Sequence, residues 1–293
     1  MTPSTLTRAP APDHDDLVDR LNTHSTRYRD PVQSIPWDTL DPNLPWLPDH
    51  LISLHGTETF DRMTPAQRRR LSHCEFVAFC ELGLWLEMLF IQRLGGNSLT
   101  QLYRDPDDYH YQLHELREEV GHSLMFLETR RRSGIDFMTP PHERPPLARL
   151  FARFAPQHAA AFWATILIGE DVPDRMGRLI VADRTLPEAV LAITRLHSRE
   201  EARHIAFART MIARKTTTMP SWQKAATALM LREIMRQFLD TAFYPSPRVY
   251  RAAGLDQPRA RAAEARSNPH RIALRAQCAA PSRATLRDSG FNL

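Results

Sequence analysis

Glu-x-x-His occurs twice in this chain, as Glu119-Val-Gly-His122 and as Glu201-Ala-Arg-His204. A helix sets residues i and i+3 on one face, so each tetrad can aim a carboxylate and an imidazole at the same metal ion. Chance alone gives about 0.7 such tetrads for this many Glu and His, so the spacing says little without its surroundings. Those surroundings are informative. Glu87 sits in the apolar run Leu84-Trp85-Leu86-Glu87-Met88-Leu89-Phe90, 32 residues before Glu119. Glu170 follows Thr165-Ile166-Leu167-Ile168-Gly169, 31 residues before Glu201. One pattern is therefore repeated: a helix with a lone Glu, then a helix with Glu-x-x-His. A carboxylate inside an apolar helix is costly unless it is paired or binds metal.

Further candidates cluster on the same segments. His197 precedes Glu201 by four residues and His204 by seven, which puts all three on one stripe. Glu118 and Glu200 each precede a tetrad glutamate and could accept hydrogen bonds from the far nitrogens of the ligand histidines. A solvated helix face is the alternative for both. Glu81 competes with Glu87 for the first-helix position, but lies 38 residues before Glu119 and breaks the near-symmetry of the halves. Its plain reading is a polar residue near the helix surface.

Long helices must position these groups. Residues 1–64 are rich in proline without a sustained period, as expected of an arm with short helices. Thr64-Pro65 is an N-cap and N1 pair, opening a helix that ends at Gly95-Gly96. A second helix is expected over 107–132, stopping at Ser133-Gly134. A third should run from Pro145-Pro146 past Glu170 toward Asp183, a fourth from near Pro187 to about Lys215, and a fifth from after Pro220 to about Phe243. Pro173, inside the third, predicts a kink or bulge beside Glu170. No window alternates as a strand does. The expected fold is all-α, a four-helix bundle core with extra helices, as one domain: arm 1–64, bundle 65–243, and an Arg-rich segment 244–293 packing on it.

Composition closes off other classes. With 38 basic and 34 acidic residues the net charge is +4, too mild for nucleic acid as main partner. No apolar run spans a bilayer, and Met1 to Asp16 has no apolar core of a secretory signal, so a cytoplasmic protein is expected. Cys74, Cys80 and Cys278 make no disulfide framework. Trp37, Trp46, Trp163 and Trp222 read as core or arm-packing residues.

A lone Glu on each of two helices, with Glu-x-x-His on each of two others, is the ligand set of carboxylate-bridged di-iron bundles. Over roughly residues 60–245 the chain resembles the p-aminobenzoate N-oxygenase family, non-haem di-iron enzymes with a ferritin-like bundle. The resemblance rests on Glu87, Glu119, His122, Glu170, His197, Glu201 and His204, and the third histidine is its distinguishing mark. It implies that these seven hold two irons, with O2 as co-substrate. It also implies that an amine is N-oxygenated to hydroxylamine, nitroso or nitro products in a biosynthetic pathway. Where such motifs commonly read Asp-Glu-x-x-His, this chain has Glu118-Glu119 and Glu200-Glu201. Basic residues near the C-terminus, here Arg271 and Arg275, are expected to hold a substrate carboxylate. Hard carboxylates with imidazoles suit iron or manganese better than zinc or calcium, so a Mn/Fe pair also fits. An external electron donor and a homodimer complete the expectation. The alternatives are a di-iron C–H hydroxylase or desaturase, a ferritin-like iron store, and a metal-free bundle. The last would leave Glu87 and Glu170 buried without partners. A radical-bearing tyrosine four residues after His122, as in ribonucleotide reductase small subunits, is absent: that position is Phe126.

Overall fold

The computed structural model describes residues 14–96 and 102–293; the first thirteen residues of the arm lie outside the described residues. The described residues hold helices and short 3-10 turns and no strand. In chain order the helices are α1 (His14–Ser25), α2 (Pro31–Ser34), α3 (Glu58–Asp61), α4 (Pro65–Gly95), α5 (Pro106–Ser133), α6 (Pro146–Phe154), α7 (Ala160–Ala182) and α8 (Glu188–Thr216). They continue with α9 (Ser221–Phe243), α10 (Pro247–Ala252), α11 (Pro258–Ser267) and α12 (Pro269–Asp288).

Local chemistry explains the long helices. At the start of α4 the Gln67 amide donates to Thr64 Oγ1 at 3.3 Å, and the Thr64 amide donates to Gln67 Oε1 at 2.9 Å, a reciprocal capping box with Pro65 at the first helical position. Helix α5 carries Asp107 and Asp108 in its first turn and Arg130, Arg131 and Arg132 in its last, both matched to the helix dipole. It ends at Gly134, whose φ of 61° is left-handed and suits glycine.

Two helix pairs form the core. Helix α4 packs along α5 and α7 along α8, and the pairs face each other through α5–α8 and α4–α7 contacts. Helix α7 is the central one, with Trp163, Ile166, Leu167 and Ile168 all buried. Helix α12 packs across α7, where Ser282 donates to the buried Asp171 at 2.7 Å. The arm crosses the outside of α5 at Gly121, where a Cβ would lie 2.5 Å from Tyr28 Oη and 2.9 Å from Pro31 Cγ.

Two expectations need correction. The third helix is not continuous from Pro145: α6 ends at Phe154 and α7 starts at Ala160. Pro156 is the cause, since a residue before proline is driven out of the helical region, and Ala155 takes ψ 123°. The turn is held by Trp163 Nε1 donating to the Gln157 carbonyl at 2.8 Å. Trp222 is not a packing residue but is 74% exposed at the start of α9, whereas Trp46 and Trp163 are buried. Pro173 lies inside α7, which stays α-helical on both sides of it.

Phe90 of α4 lies so close over Gly169 that a Cβ there would meet Phe90 Cζ at 2.7 Å. Gly169→Ala should therefore destabilise the metal-free protein by about 1–3 kcal/mol through overpacking, measurable as a lower urea midpoint with an unchanged slope.

Candidate metal centre

Each core helix brings its candidate inward. Glu87 comes from α4, Glu119 and His122 from α5, Glu170 from α7, and His197, Glu201 and His204 from α8, all buried. Their donor atoms fall into two groups: Glu87, His122, His197 and Glu201, and Glu119, Glu170, Glu201 and His204. Within each group the atoms lie within 4.8 Å of one another.

The tetrad glutamates reach across both groups. Glu119 sets Oε2 3.5 Å from His122 Nδ1 and Oε1 3.2 Å from His204 Nδ1. Glu201 sets Oε1 3.3 Å from His122 Nδ1 and Oε2 3.4 Å from His204 Nδ1. Carboxylates so placed could serve both positions of a metal pair, with Glu87 in one donor group and Glu170 in the other. His197 Nε2 lies 3.2 Å from both Glu87 Oε1 and Glu201 Oε1, so the His122 position has a second imidazole and the His204 position does not.

The outer nitrogens are fixed crosswise. His122 Nε2 donates to Glu200 Oε2 at 2.9 Å, and His204 Nε2 donates to Glu118 Oε2 at 3.0 Å. Each carboxylate thus braces the histidine of the opposite pair. With Nε2 carrying the proton, Nδ1 presents its lone pair to the centre. The two braces differ. Glu118 is sealed in and also meets Arg203 at 2.8 Å. Glu200 borders a surface cleft lined by Arg27, Arg29, Arg195 and Arg199.

A cation fits this set. Both oxygens of Glu119 and of Glu201, Glu170 Oε1, and Nδ1 of His122 and of His204 are buried without a hydrogen-bond partner. Native structures rarely leave buried polar atoms so, and here they converge.

Protons neutralise the cluster when no metal is bound. Burial and the neighbouring Glu119 push Glu87 well up; burial and Glu201 do the same to Glu170. Burial also raises Glu119 and Glu201, but other contacts outweigh it and leave both low. For Glu119 these are the neighbouring Glu87 carboxyl and the charge of His204; for Glu201 they are the charges of His204 and His197. Burial opposes charge on His122, yet Glu119 and Glu200 hold its pKa at about 9. His204 is raised well above the usual range despite burial, chiefly by Glu201. Burial and the His122 charge lower His197 to about 4, so it is neutral and ready to coordinate.

Other candidates lie elsewhere. Glu81, six residues before Glu87 and so 120° round the helix, accepts from the Thr139 amide at 2.6 Å and from Arg144 at 2.7 Å. It is not a surface residue but a buried ion-pair partner. Arg271 and Arg275 are not brought to the cluster. Arg271 is buried, donating to the Phe243 and Leu51 carbonyls at 2.6 and 2.7 Å, while Arg275 pairs with Asp240 at 3.0 Å. Their expected hold on a substrate carboxylate gains no support. Sequence reading passed over Glu115, one turn before Glu119, whose Oε2 is buried and unpartnered; burial pushes its carboxyl up to about 8. Its only signal was its register with Glu119.

Fold and centre together define a ferritin-like helical protein with a buried carboxylate–histidine site able to hold a metal pair. The chain belongs to the P-aminobenzoate N-oxygenase AurF family, matched over residues 11–290. Its fold is shared by an R2-like ligand-binding oxidase with aerobically reconstituted metal cofactor after photoconversion, at TM-score 0.58 and 14% identity, covering 97% of this chain and 95% of that one. Another structure of an R2-like ligand-binding oxidase, with aerobically reconstituted Mn/Fe cofactor, matches at TM-score 0.55 and 13% identity, covering 96% and 94%. Among curated proteins, an uncharacterised protein of Mycobacterium tuberculosis is 27% identical over 166 residues, and one of Mycobacterium bovis is 26% identical over 166. In both cases that is 56% of this chain and 48% of the relative, so the matches reach about half the length of these relatives. No helix among the described residues is long and apolar enough to cross a membrane.

Burial and neighbouring charge make Glu87, Glu170, His122 and His204 hold protons more tightly than free groups do. Loading divalent ions should therefore release protons, and affinity should rise with pH toward 9 as His122 gives up its proton more easily. Calorimetry in buffers of different ionisation enthalpy checks this. Glu87→Ala should lower metal content at unchanged apo stability, whereas Glu81→Ala should leave metal content alone and cost about 3–5 kcal/mol by stranding Arg144. Metal analysis and urea denaturation separate the two.

Proposed function

We propose that this chain is a non-haem di-iron oxygenase that uses O2 to N-oxygenate an amine in a biosynthetic pathway. The observation that carries the reading is the seven-donor set with its third imidazole, His197, within the fold of a family of N-oxygenases. Two iron ions are the proposed cofactor, held by Glu87, Glu119, His122, Glu170, His197, Glu201 and His204. A reduced iron pair supplies the two electrons that O2 needs to oxygenate an amine. With two protons, the amine and O2 give a hydroxylamine and water, and an external donor returns two electrons before the next turnover.

The chain's own groups have definite tasks in this reaction. Glu119 and Glu201 keep the two positions at fixed separation, and Glu118 and Glu200 hold the imidazoles in one tautomer. Phe126 packs against His197, its ring 5.2 Å from the imidazole, and keeps the histidine side dry. Glu115, one turn from Glu119, is biased by burial toward its protonated form.

The partners follow the same reading. The basic cleft at Glu200 suits an anionic electron donor, since Arg27, Arg29 and Arg199 face it and Glu200 connects it to His122. A second copy of the chain suits the outer face of α5, where Leu113, Val120, Leu124 and Leu127 are exposed in one stripe. Two such helices crossing antiparallel at Val120 would set the acidic first turn of one against the basic last turn of the other. We propose the cytoplasm as the place of the reaction.

Anaerobic iron(II)-loaded protein mixed with labelled O2 and an arylamine should yield the hydroxylamine carrying one labelled oxygen. Product oxygenated at carbon, or iron oxidation without any amine product, would sink the reading. Val120→Lys should halve the mass seen by light scattering and leave the iron content unchanged.

A further inference from the structure

A cleft of about 570 Å3 opens between the arm and helix α8, within the size range of small-molecule sites. The arm supplies Arg27, Arg29, Ser34 and Ile35. Tyr28, between the two arginines, is turned the other way, with its hydroxyl against Gly121 and its ring under the Arg117 guanidinium. Helix α8 supplies Glu188, Ala192, Arg195 and Arg199 from one helical stripe, with Leu196 and Glu200 on its flank.

The charges of this cleft do not cancel. Arg195 is engaged by Glu188 and by the Leu191 carbonyl. Glu200 accepts from His122 at 2.9 Å. Asp30, the acidic neighbour of Arg29, caps α2 instead, accepting from the Val32 amide at 2.8 Å. The guanidiniums of Arg27, Arg29 and Arg199 make no hydrogen bond or ion pair to any described residue. Three unpaired cations therefore share the cleft with one carboxylate, Glu200, that is already held by a histidine.

Guanidinium forks match the oxygens of a phosphate, and a phosphate monoester carries about −1.5 to −2 at neutral pH, so one or two phosphates would offset the three cations. Ile35, Ala192 and Leu196 add apolar wall that an inorganic ion would leave uncovered. An acidic protein docks on a broad face, whereas these groups line a concavity. We propose that the cleft binds a small organic phosphate of nucleotide size, its phosphates on Arg27, Arg29 and Arg199 and its body against Ile35, Ala192 and Leu196. The proposal narrows the electron-donor reading of this cleft and rests on it for the role of the ligand: the donor is a small phosphorylated carrier rather than an acidic protein.

The test is calorimetry of the iron-loaded protein at low salt with ADP and with adenosine, its phosphate-free counterpart. ADP is expected to bind at least about tenfold more tightly than adenosine, and to weaken as salt is added. Arg27→Ala, Arg29→Ala and Arg199→Ala should each weaken ADP about tenfold. Arg153→Ala, an exposed arginine on α6, should leave ADP binding unchanged. Equal binding of ADP and adenosine, or an equal loss in Arg153→Ala and the three cleft variants, would overturn the proposal. If ADP binds through the three arginines but reduced flavin mononucleotide leaves the iron(III) protein unreduced, the donor reading fails and the phosphate site stands. If an acidic ferredoxin reduces the iron, more slowly in the three variants, while ADP neither binds nor competes, the donor reading stands and the phosphate site falls.

Discussion

Four carboxylates and three imidazoles at the centre of a helical bundle must be neutral as a group, and much of the structure answers that constraint. Without metal, raised proton affinity at Glu87, Glu170, His122 and His204 offsets the buried charge; divalent cations would do so in place of the protons. Outside it, the Glu118 and Glu200 braces fix the imidazoles, and Arg203 offsets the added charge of Glu118. The core helices run 23 to 31 residues, so the ligands sit in helix interiors, away from fraying ends. Gly83 and Gly169 let Phe126 and Phe90 press against the helices at the edge of the cluster, where a Cβ would come within 2.6 and 2.7 Å of their rings.

Much of this was legible in the sequence, because the pattern is local. The tetrad spacing, the two lone glutamates and the stripe through His197 each follow from helical periodicity, and the structure gathers all seven. The all-α fold and the family were likewise readable from helix signals and motif spacing. What was not legible depends on which surfaces meet. That Glu119 and Glu201 each approach both His122 and His204 requires knowing that α5 faces α8. Glu81 looked like a rival because its partner Arg144 lies 63 residues away and beyond a turn. Arg271 looked free because backbone carbonyls, which hold it, leave no mark in a sequence. The break at Pro156 was readable in principle, but the apolar residues on both sides disguised it.

The arm shows how weakly patterned sequence can still be well placed. Tyr28 sits over Gly121 with the Arg117 guanidinium 4.4 Å from its ring, and Trp37 lies under Arg132 in the same way. Its short helices do not cohere through periodicity. They hold because residues of α5 receive them, and that reception also positions Arg27 and Arg29 beside Glu200.

The unequal braces give the molecule two faces. Glu200 of α8, hydrogen-bonded to His122 of α5, borders the arginine-lined cleft, whereas Glu118, hydrogen-bonded to His204, is fully buried. Dissolved salt and solvent therefore reach one histidine of the centre through its brace, while the other is insulated from both.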